Sequence, residues 1–312
     1  MTSGELKKQA QGQLEHAAYD PAKLALLHSL VLLILPVLDI TNYLLSQQAA
    51  VGGLAGMGTR TVVASVQSIL SMAYNLLIPF WQISFVGCSL KMARMEQTDP
   101  RDYTWGFRRF GPVLRLFLLQ ALVYIAAITV GSQIAGILYF LTPFSNTLEK
   151  KLQQAMAAGQ TELTEEMIIQ MLPDMVPMLV IAAVIMAVLC IPVFYRLRFS
   201  EFAIFEEGNN SALAAMGRSV GMTRGRGMEL FRLDLSFWWY NLLVFVASGI
   251  TDGGVLLSYL GIELPIPQLA AVLILRCVGI GITLLATWRW KSHVQTTYAC
   301  MYDNILTANT QT

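Results

Sequence analysis

The chain has 312 residues, of which 55% are hydrophobic and only 13% are charged, and its formal net charge is +1 at pH 7. A charged fraction about half that of ordinary soluble domains is too small to cover a water-facing surface. The composition therefore excludes a soluble globular class and favours a polytopic helical membrane protein, and the near-neutral charge gives no reason to expect a nucleic-acid partner.

The first 22 residues are polar and predict an amphipathic segment on the cytoplasmic face. They lack an apolar core beside a cleavage site, so no removable signal peptide is expected. Six apolar windows follow, with lengths near or above the ~20 residues that a helix needs to cross hydrocarbon. The predicted spans are residues 24–45, 62–89, 113–142, 176–197, 233–250 and 268–288.

Prolines interrupt three of these windows, at Pro36, Pro79 and Pro192. We expect kinked helices there instead of breaks, because neighbouring helices can satisfy the freed carbonyl groups.

The basic residues predict how the spans are oriented. If the N-terminus lies in the cytoplasm, 17 of the 21 lysines and arginines fall in cytoplasmic segments. Such a bias follows the positive-inside rule. We therefore predict an all-α transmembrane bundle of about six spans, formed by residues 1–312 as a single domain, with both termini inside and with cytoplasmic amphipathic helices.

The longest external segment, residues 143–175, predicts two short helices around the sequence AAGQ. Thr161 or Thr164 is a candidate N-cap for the second helix. Methionines at helical spacing follow, and they are either Cu(I) ligands or, as we favour, adaptable apolar side chains. They are Met167, Met171, Met175 and Met178.

A basic and then aromatic stretch, RGRGMELFRLDLSFWW at residues 224–239, is the candidate interface site. Its arginines, with one just upstream, are expected at lipid-headgroup depth, where each adds about 1 kcal/mol of attraction to an anionic leaflet. The candidate site comprises Arg218, Arg224, Arg226, Arg232, Asp234 and Ser236.

Asp234 is a carboxylate about one turn inside the apolar run, so it should have a partner. The candidates at the same level are Arg196, Arg198 and Arg232. Asp234 is then either a staple that joins the loop to the bundle, which we favour, or a group with a transport or catalytic role.

Two further ionisable residues lie inside predicted spans, Asp39 in the first and Arg276 in the last. Both residues are expected at a similar depth in the membrane, so they can form an ion pair that joins the first and last helices. The alternative is that the Arg276 side chain extends toward the outer membrane surface while Asp39 lies among the lipid headgroups. Gln67, Asn75 and Gln82 form a polar stripe along the second span, which predicts a cavity lining or hydrogen bonds to a neighbouring helix.

No motif for catalysis or for cofactor binding is found. The chain lacks GxxxxGK[ST], HExxH and GxSxG, its three histidines are far apart, and its four cysteines have no metal-ligand spacing. We therefore expect no enzyme activity, no cofactor and no metal.

One stretch has the order S-x-x-x-T-R-G and then F-x-L-D-L-S-F, carried by Ser219, Thr223, Arg224, Gly225, Phe231, Leu233, Asp234, Leu235, Ser236 and Phe237. This order resembles the hallmark of the bacterial membrane family catalogued as domain of unknown function 975. The opening ELKKQAQGQL, the loop WGFRRFG and the closing TYACMYDNIL are also similar to that family. The resemblance implies a multi-pass protein of the bacterial inner membrane and supplies no reaction.

Three functions fit these observations. We favour a non-catalytic protein that associates with anionic lipids or with a membrane protein partner. The alternative is a small-solute or peptide transporter, or the permease subunit of an export system, that uses the polar stripe. A third is a lipid enzyme in which Glu201, Glu206 and Glu207 hold a divalent cation. A midplane cavity would favour transport, and convergent carboxylates at headgroup depth would favour the enzyme.

Overall fold

The computed structural model of the protein describes residues 2–17, 19–34, 36–38, 40–41, 44, 53–157, 165–207, 211–259 and 268–310. In these residues the chain is helical, and no strand occurs among them. The predicted all-α class is confirmed.

The helices are numbered here in chain order within the described ranges. They are α1 (Ser3–Glu15), α2 (Pro21–Leu32), α3 (Gly53–Ala93), α4 (Trp105–Arg108), α5 (Phe110–Phe140), α6 (Pro143–Ala157), α7 (Glu165–Leu197), α8 (Ser200–Glu207), α9 (Ala212–Thr223), α10 (Gly227–Ser236), α11 (Trp238–Tyr259), α12 (Gln268–Ala286) and α13 (Ser292–Thr310). A 3₁₀ turn at Pro100–Thr104 precedes α4, and a π-helical turn at Thr287–Lys291 joins α12 to α13.

The first two helices begin at strong local signals. Thr2 and Glu5 form a capping box, in which the Thr2 hydroxyl accepts a hydrogen bond from the Glu5 N–H and the Glu5 carboxylate accepts one from the Thr2 N–H. Asp20 caps α2 by accepting a hydrogen bond from the Ala22 N–H, and Pro21 occupies the first helical position. These caps satisfy backbone donors that a helix start otherwise leaves unpaired.

Five stretches of the described chain are long and apolar enough to cross a membrane. They are Pro21–Leu38, Thr61–Ala93, Phe110–Phe140, Val176–Glu206 and Ala270–Ala308. A sixth crossing is formed if α10 and the start of α11, bent by 64° at Phe237, count as one span. These stretches overlap all six predicted windows, while the orientation of the bundle remains a prediction.

Two differences between the helices and the predicted windows change the architecture. The second short helix predicted for the outer loop is continuous with the fourth span, because α7 begins at Glu165 and continues to Leu197. The predicted window 233–250 contains the bend at Phe237, so its first residues belong to α10. The helices continue through Pro79 in α3 and Pro192 in α7, without breaks.

Four of the helices pack as two hairpins, and a separate buried core lies near both chain termini. Helices α5 and α7 form one hairpin, and α11 and α12 form the other. Helix α13 packs against α1 and α3 at the end of the molecule where both termini lie. We call this buried region the terminal core, and it includes Leu6, Leu90, Phe202, Leu233 and Tyr302.

The α11–α12 hairpin depends on close approach at one glycine. A Cβ added at Gly279 would lie 2.2 Å from the Thr251 hydroxyl oxygen and 2.5 Å from the Ala247 carbonyl oxygen. We expect Gly279→Ala to lower the free energy of unfolding by about 1–3 kcal/mol, the usual cost of overpacking. Thermal unfolding in detergent would measure this loss. Gly281→Ala is the control, since a Cβ at Gly281 meets nothing within 4 Å. Equal stability of the two variants would contradict the packing.

Candidate functional site

Helix α10, which carries Arg232, Asp234 and Ser236 of the predicted interface site, leaves one face uncovered. Leu230 and Leu233 are fully buried, whereas Met228, Phe231 and Leu235 are 62%, 45% and 55% exposed. The exposed three are spaced by three and four residues, which places them on one side of the helix. An uncovered apolar helix face with arginines beside it is typical of a helix that lies in the membrane interface.

The arginines of the predicted site separate into two groups. Arg224 and Arg232 are exposed and Arg226 is half-buried. Arg226 and Arg232, with Glu229 between them, line a groove that α10 forms with α1 and α13. Gly225 has a φ of 78°, a left-handed conformation that lets the chain turn sharply between α9 and α10. Arg218 instead approaches Glu206, with 3.4 Å between its Nη2 and a carboxylate oxygen.

Tryptophans mark the bend that follows α10. Trp238 is 58% exposed, and Trp239 packs edge-on against Trp290 with 4.6 Å between ring centres. The bend of 64° turns the chain from α10 into the apolar helix α11. Because tryptophan favours the boundary between headgroups and hydrocarbon, this arrangement is suited to a surface helix that leads into a span.

Asp234 lies on the inner side of α10, among residues from three other segments. The Tyr298 hydroxyl donates a hydrogen bond to Asp234 Oδ1, and Tyr195 is hydrogen-bonded to the same carboxylate. The Arg198 guanidinium lies 4.2 Å from the centre of the Tyr298 ring, near enough for its charge to act on Asp234. Of the arginines predicted as partners of Asp234, the structure therefore places Arg198 close to its carboxylate. The side chain of Arg232 is exposed. The tyrosines were missed, since uncharged residues far away in sequence gave no signal.

Ser236 connects the bend to the N-terminal helix through its backbone. Its carbonyl oxygen accepts a hydrogen bond of 2.5 Å from Lys7 Nζ, which also lies 3.9 Å from the centre of the Phe237 ring. Burial lowers the pKa of Lys7. The Ser236 hydroxyl donates to the Leu233 carbonyl oxygen within α10. Ser236 thus has a positioning role for α1.

The motif residues upstream of α10 join α9 to the end of α7. The Ser219 hydroxyl donates to the Arg196 carbonyl oxygen at 2.7 Å and accepts from the Phe199 N–H at 3.0 Å. The Thr223 hydroxyl lies one turn further on, donates to the Ser219 carbonyl oxygen within α9 and lies 3.4 Å from the same Arg196 carbonyl oxygen. The two hydroxyls thus converge on backbone groups where α7 ends, which gives the S-x-x-x-T spacing a structural reason.

A second network, which the sequence did not indicate, surrounds Arg94 at the end of α3. Its Nη2 lies 2.6 Å from Glu206 Oε1 and 2.7 Å from Asp303 Oδ1. The Tyr302 hydroxyl donates to the other oxygen of Glu206 at 2.7 Å. Burial alone would lower the pKa of Arg94, but the two carboxylates outweigh it and raise that pKa. The network holds together α3, α8 and α13.

A polar cavity of about 230 Å³ lies between α3, α5, α8 and α13. Its polar lining residues are Gln82, Gln120, Tyr124, Arg198, Glu201 and Gln295. Gln82 is hydrogen-bonded to Glu201, and the Gln120 amide donates to the Ser200 hydroxyl at 2.6 Å. Both Arg198 and Lys291 are close enough to act on the charge of Glu201. Gln295 is buried and the other polar lining residues are half-buried. Partly enclosed amide and charged groups are costly in an apolar bundle, which makes this cavity a second candidate site.

The other predicted polar residues have separate surroundings. Of the predicted stripe, Gln82 reaches the cavity while Asn75 is exposed. Glu201 and Glu206 belong to the two different networks described above. In the described part of the chain, no group of three or more acidic, histidine or cysteine residues is arranged to hold a metal ion.

Some predicted sites cannot be compared with the structure. Arg276 is half-buried in α12, but Asp39 lies outside the described residues, so their pairing remains a prediction. The side chains of Met167, Met171 and Met175 also lie outside the described part of the structure.

Comparison with known proteins gives one match. A family model described as a protein of unknown function, DUF975, matches residues 1–309. No curated protein and no solved structure matches the chain.

Proposed function

We propose that this chain, which belongs to the DUF975 family of proteins of unknown function, is a non-catalytic integral membrane protein that binds anionic lipid headgroups beside α10. The observation that carries this proposal is the uncovered face of α10, where exposed Met228, Phe231 and Leu235 lie next to Arg224 and Arg232. Its apolar side chains are suited to enter the acyl boundary, while the guanidinium groups stay among phosphates.

The spans themselves also need a covering. The most apolar part of Val176–Glu206 is not buried anywhere within the chain, and that of Thr61–Ala93 is only 6% buried. Hydrocarbon chains or the helices of a membrane protein partner would supply this contact. The basic residue distribution supports both termini in the cytoplasm, so we place α10 on the cytoplasmic leaflet of the inner membrane.

The double variant Arg224→Gln/Arg232→Gln tests the lipid proposal. Two arginines at the headgroups contribute about 2 kcal/mol, so the variant is expected to bind phosphatidylglycerol roughly 30-fold more weakly. Native mass spectrometry of protein released from nanodiscs of phosphatidylglycerol and phosphatidylcholine would count the retained anionic lipids. The loss should shrink at high salt, because salt screens exposed charges.

Lys150→Gln/Lys151→Gln is the matched control for this experiment. It removes the same charge from α6, which follows α5 at its far end from the terminal core. We expect the control to retain its phosphatidylglycerol. If the two double variants lost lipid equally, the attraction would depend on total charge and the α10 site would be wrong.

Transport of a small solute is the second candidate, and the polar cavity is the observation that favours it. Gln82 lies 11 residues before the end of α3, about 17 Å along the helix, and 21 residues after Thr61, about 32 Å. The cavity is thus displaced toward the terminal core, whereas transporters bind substrate near the bilayer midplane. We therefore rank lipid association first.

A further inference from the structure

We propose that the polar cavity beside Glu201 binds a small zwitterion, a molecule that carries an amine and an acid anion on one short skeleton, as free amino acids do. This site is distinct from the lipid surface of α10 and requires no transport. The inference depends on the size of the cavity, on the opposite charges that line it and on the amides between them.

The size of the cavity is suited to a small solute. Its volume of about 230 Å³ equals that of nearly eight water molecules at ~30 Å³ each. Phe194, Leu197 and Phe202 complete its lining, so the polar groups share this space with three apolar side chains. The pocket is smaller than the ~300–1,000 Å³ of drug-sized sites, and its convergent polar groups suit a smaller and more polar molecule.

Opposite charges face this space from one short segment. Arg198 and Glu201 are three residues apart at the junction of α7 and α8, and both line the cavity. The Arg198 guanidinium is held between aromatic rings, 5.0 Å from the centre of Phe194 and 4.2 Å from that of Tyr298. Its position is therefore fixed before any ligand arrives, which reduces the entropy cost of binding.

The charges select for a ligand that carries both signs. A simple cation would be attracted by Glu201 but repelled by Arg198 and by Lys291, which acts on both residues. A simple anion would be attracted by the two cations but would meet the carboxylate of Glu201. A zwitterion places its acid group toward Arg198 and its amine toward Glu201, so each of these half-buried charges gains a further contact of opposite sign.

The amides provide the remaining hydrogen bonds. Gln82, Gln120 and Gln295 bring both donors and acceptors to the cavity from three different helices. Gln82 already contacts Glu201, and this bond orients the carboxylate. Three amides from separate helices can contact a bound molecule from several sides.

Thermal unfolding of the full chain in detergent, followed by tryptophan fluorescence, tests the site. The probes are glycine, L-alanine and L-glutamine, with propionate and ethylamine as ligands of one charge. We expect at least one amino acid to raise the unfolding temperature in a saturable way and to bind at least tenfold more tightly than either single-charge probe. Equal effects of propionate, ethylamine and L-alanine would overturn the proposal, as would no effect of any amino acid.

A lipid headgroup can also be zwitterionic, so the same measurement is made in nanodiscs. Stabilisation by phosphatidylethanolamine together with no response to free amino acids would assign the cavity to a headgroup and overturn the solute site.

Variants locate the binding within the cavity. Glu201→Gln keeps the side-chain size but removes the charge, and we expect it to weaken amino-acid binding at least tenfold. Glu229→Gln is the control, because Glu229 is exposed on α10 and does not line the cavity. If Glu201→Gln fails to fold, Gln120→Leu tests the opposite wall with the same expected loss. The number of phosphatidylglycerol molecules that these variants retain is counted in parallel. A variant that loses amino-acid binding but retains phosphatidylglycerol shows that the cavity and the lipid surface of α10 are separate sites.

Discussion

Gly106→Ala is expected to destabilise the folded protein by about 3 kcal/mol, at the upper end of what overpacking costs. A Cβ added at Gly106 would lie 2.2 Å from the carbonyl oxygen of Phe80 and 2.9 Å from its carbonyl carbon. These are backbone atoms inside α3, so they cannot move aside as the end of a flexible side chain would. Helix α4 would have to separate from α3, and the Gly106 N–H would lose its 2.8 Å hydrogen bond to the Ser84 hydroxyl.

The loss is measured as the fraction of protein that remains monodisperse after detergent extraction and heating. Gly111→Ala is the control, because Gly111 lies in the first turn of α5 and a Cβ there meets nothing within 4 Å. Alanine in a helix is more favourable than glycine by about 0.5–1 kcal/mol, so the control should be neutral or slightly stabilised. Unchanged stability of Gly106→Ala would show that α4 does not approach α3 this closely.

The apolar spans could be predicted from the sequence because hydrocarbon imposes a minimum length on any helix that crosses it. Their boundaries could not be predicted in the same way. The window 233–250 is apolar across Phe237, and composition alone does not distinguish a bent surface helix from the start of a span. The spacing of apolar residues in α10 identifies it as a surface helix only once Leu230 and Leu233 are known to be buried.

The candidate sites were predictable to different extents. Asp234 could be singled out, since a carboxylate in an apolar run needs a partner. Its partners could not, because Tyr195 and Tyr298 belong to distant helices and carry no charge that marks them. In the sequence, Glu201 stands out only as part of an acidic group with Glu206 and Glu207. The fold separates these two residues, placing one in a cavity and the other beside Arg94.

Loss of the ion-pair network at Arg94 is expected to destabilise the folded protein. Arg94→Gln should lower the free energy of unfolding by about 2 kcal/mol, because its ion pairs are partly buried and lie between exposed pairs, worth up to ~1 kcal/mol, and fully buried pairs, whose disruption costs ~3–5 kcal/mol. Glu206 and Asp303 would both lose their guanidinium partner while they stay partly enclosed by α8, α9 and α13. Arg218 is 3.4 Å from Glu206 and compensates for only one of the two carboxylates.

Chemical unfolding in a mild detergent, followed by tryptophan fluorescence, would measure this loss. Arg101→Gln is the matched control, because Arg101 is an exposed arginine in the 3₁₀ turn near the same end of the molecule. The double variant Arg94→Gln/Asp303→Asn should recover part of the lost stability, since it removes one of the two uncompensated charges. If Arg94→Gln matched Arg101→Gln, the network would be a surface ion pair of little energetic weight. The closure of α13 onto α3 would then depend on the apolar contacts of the terminal core alone.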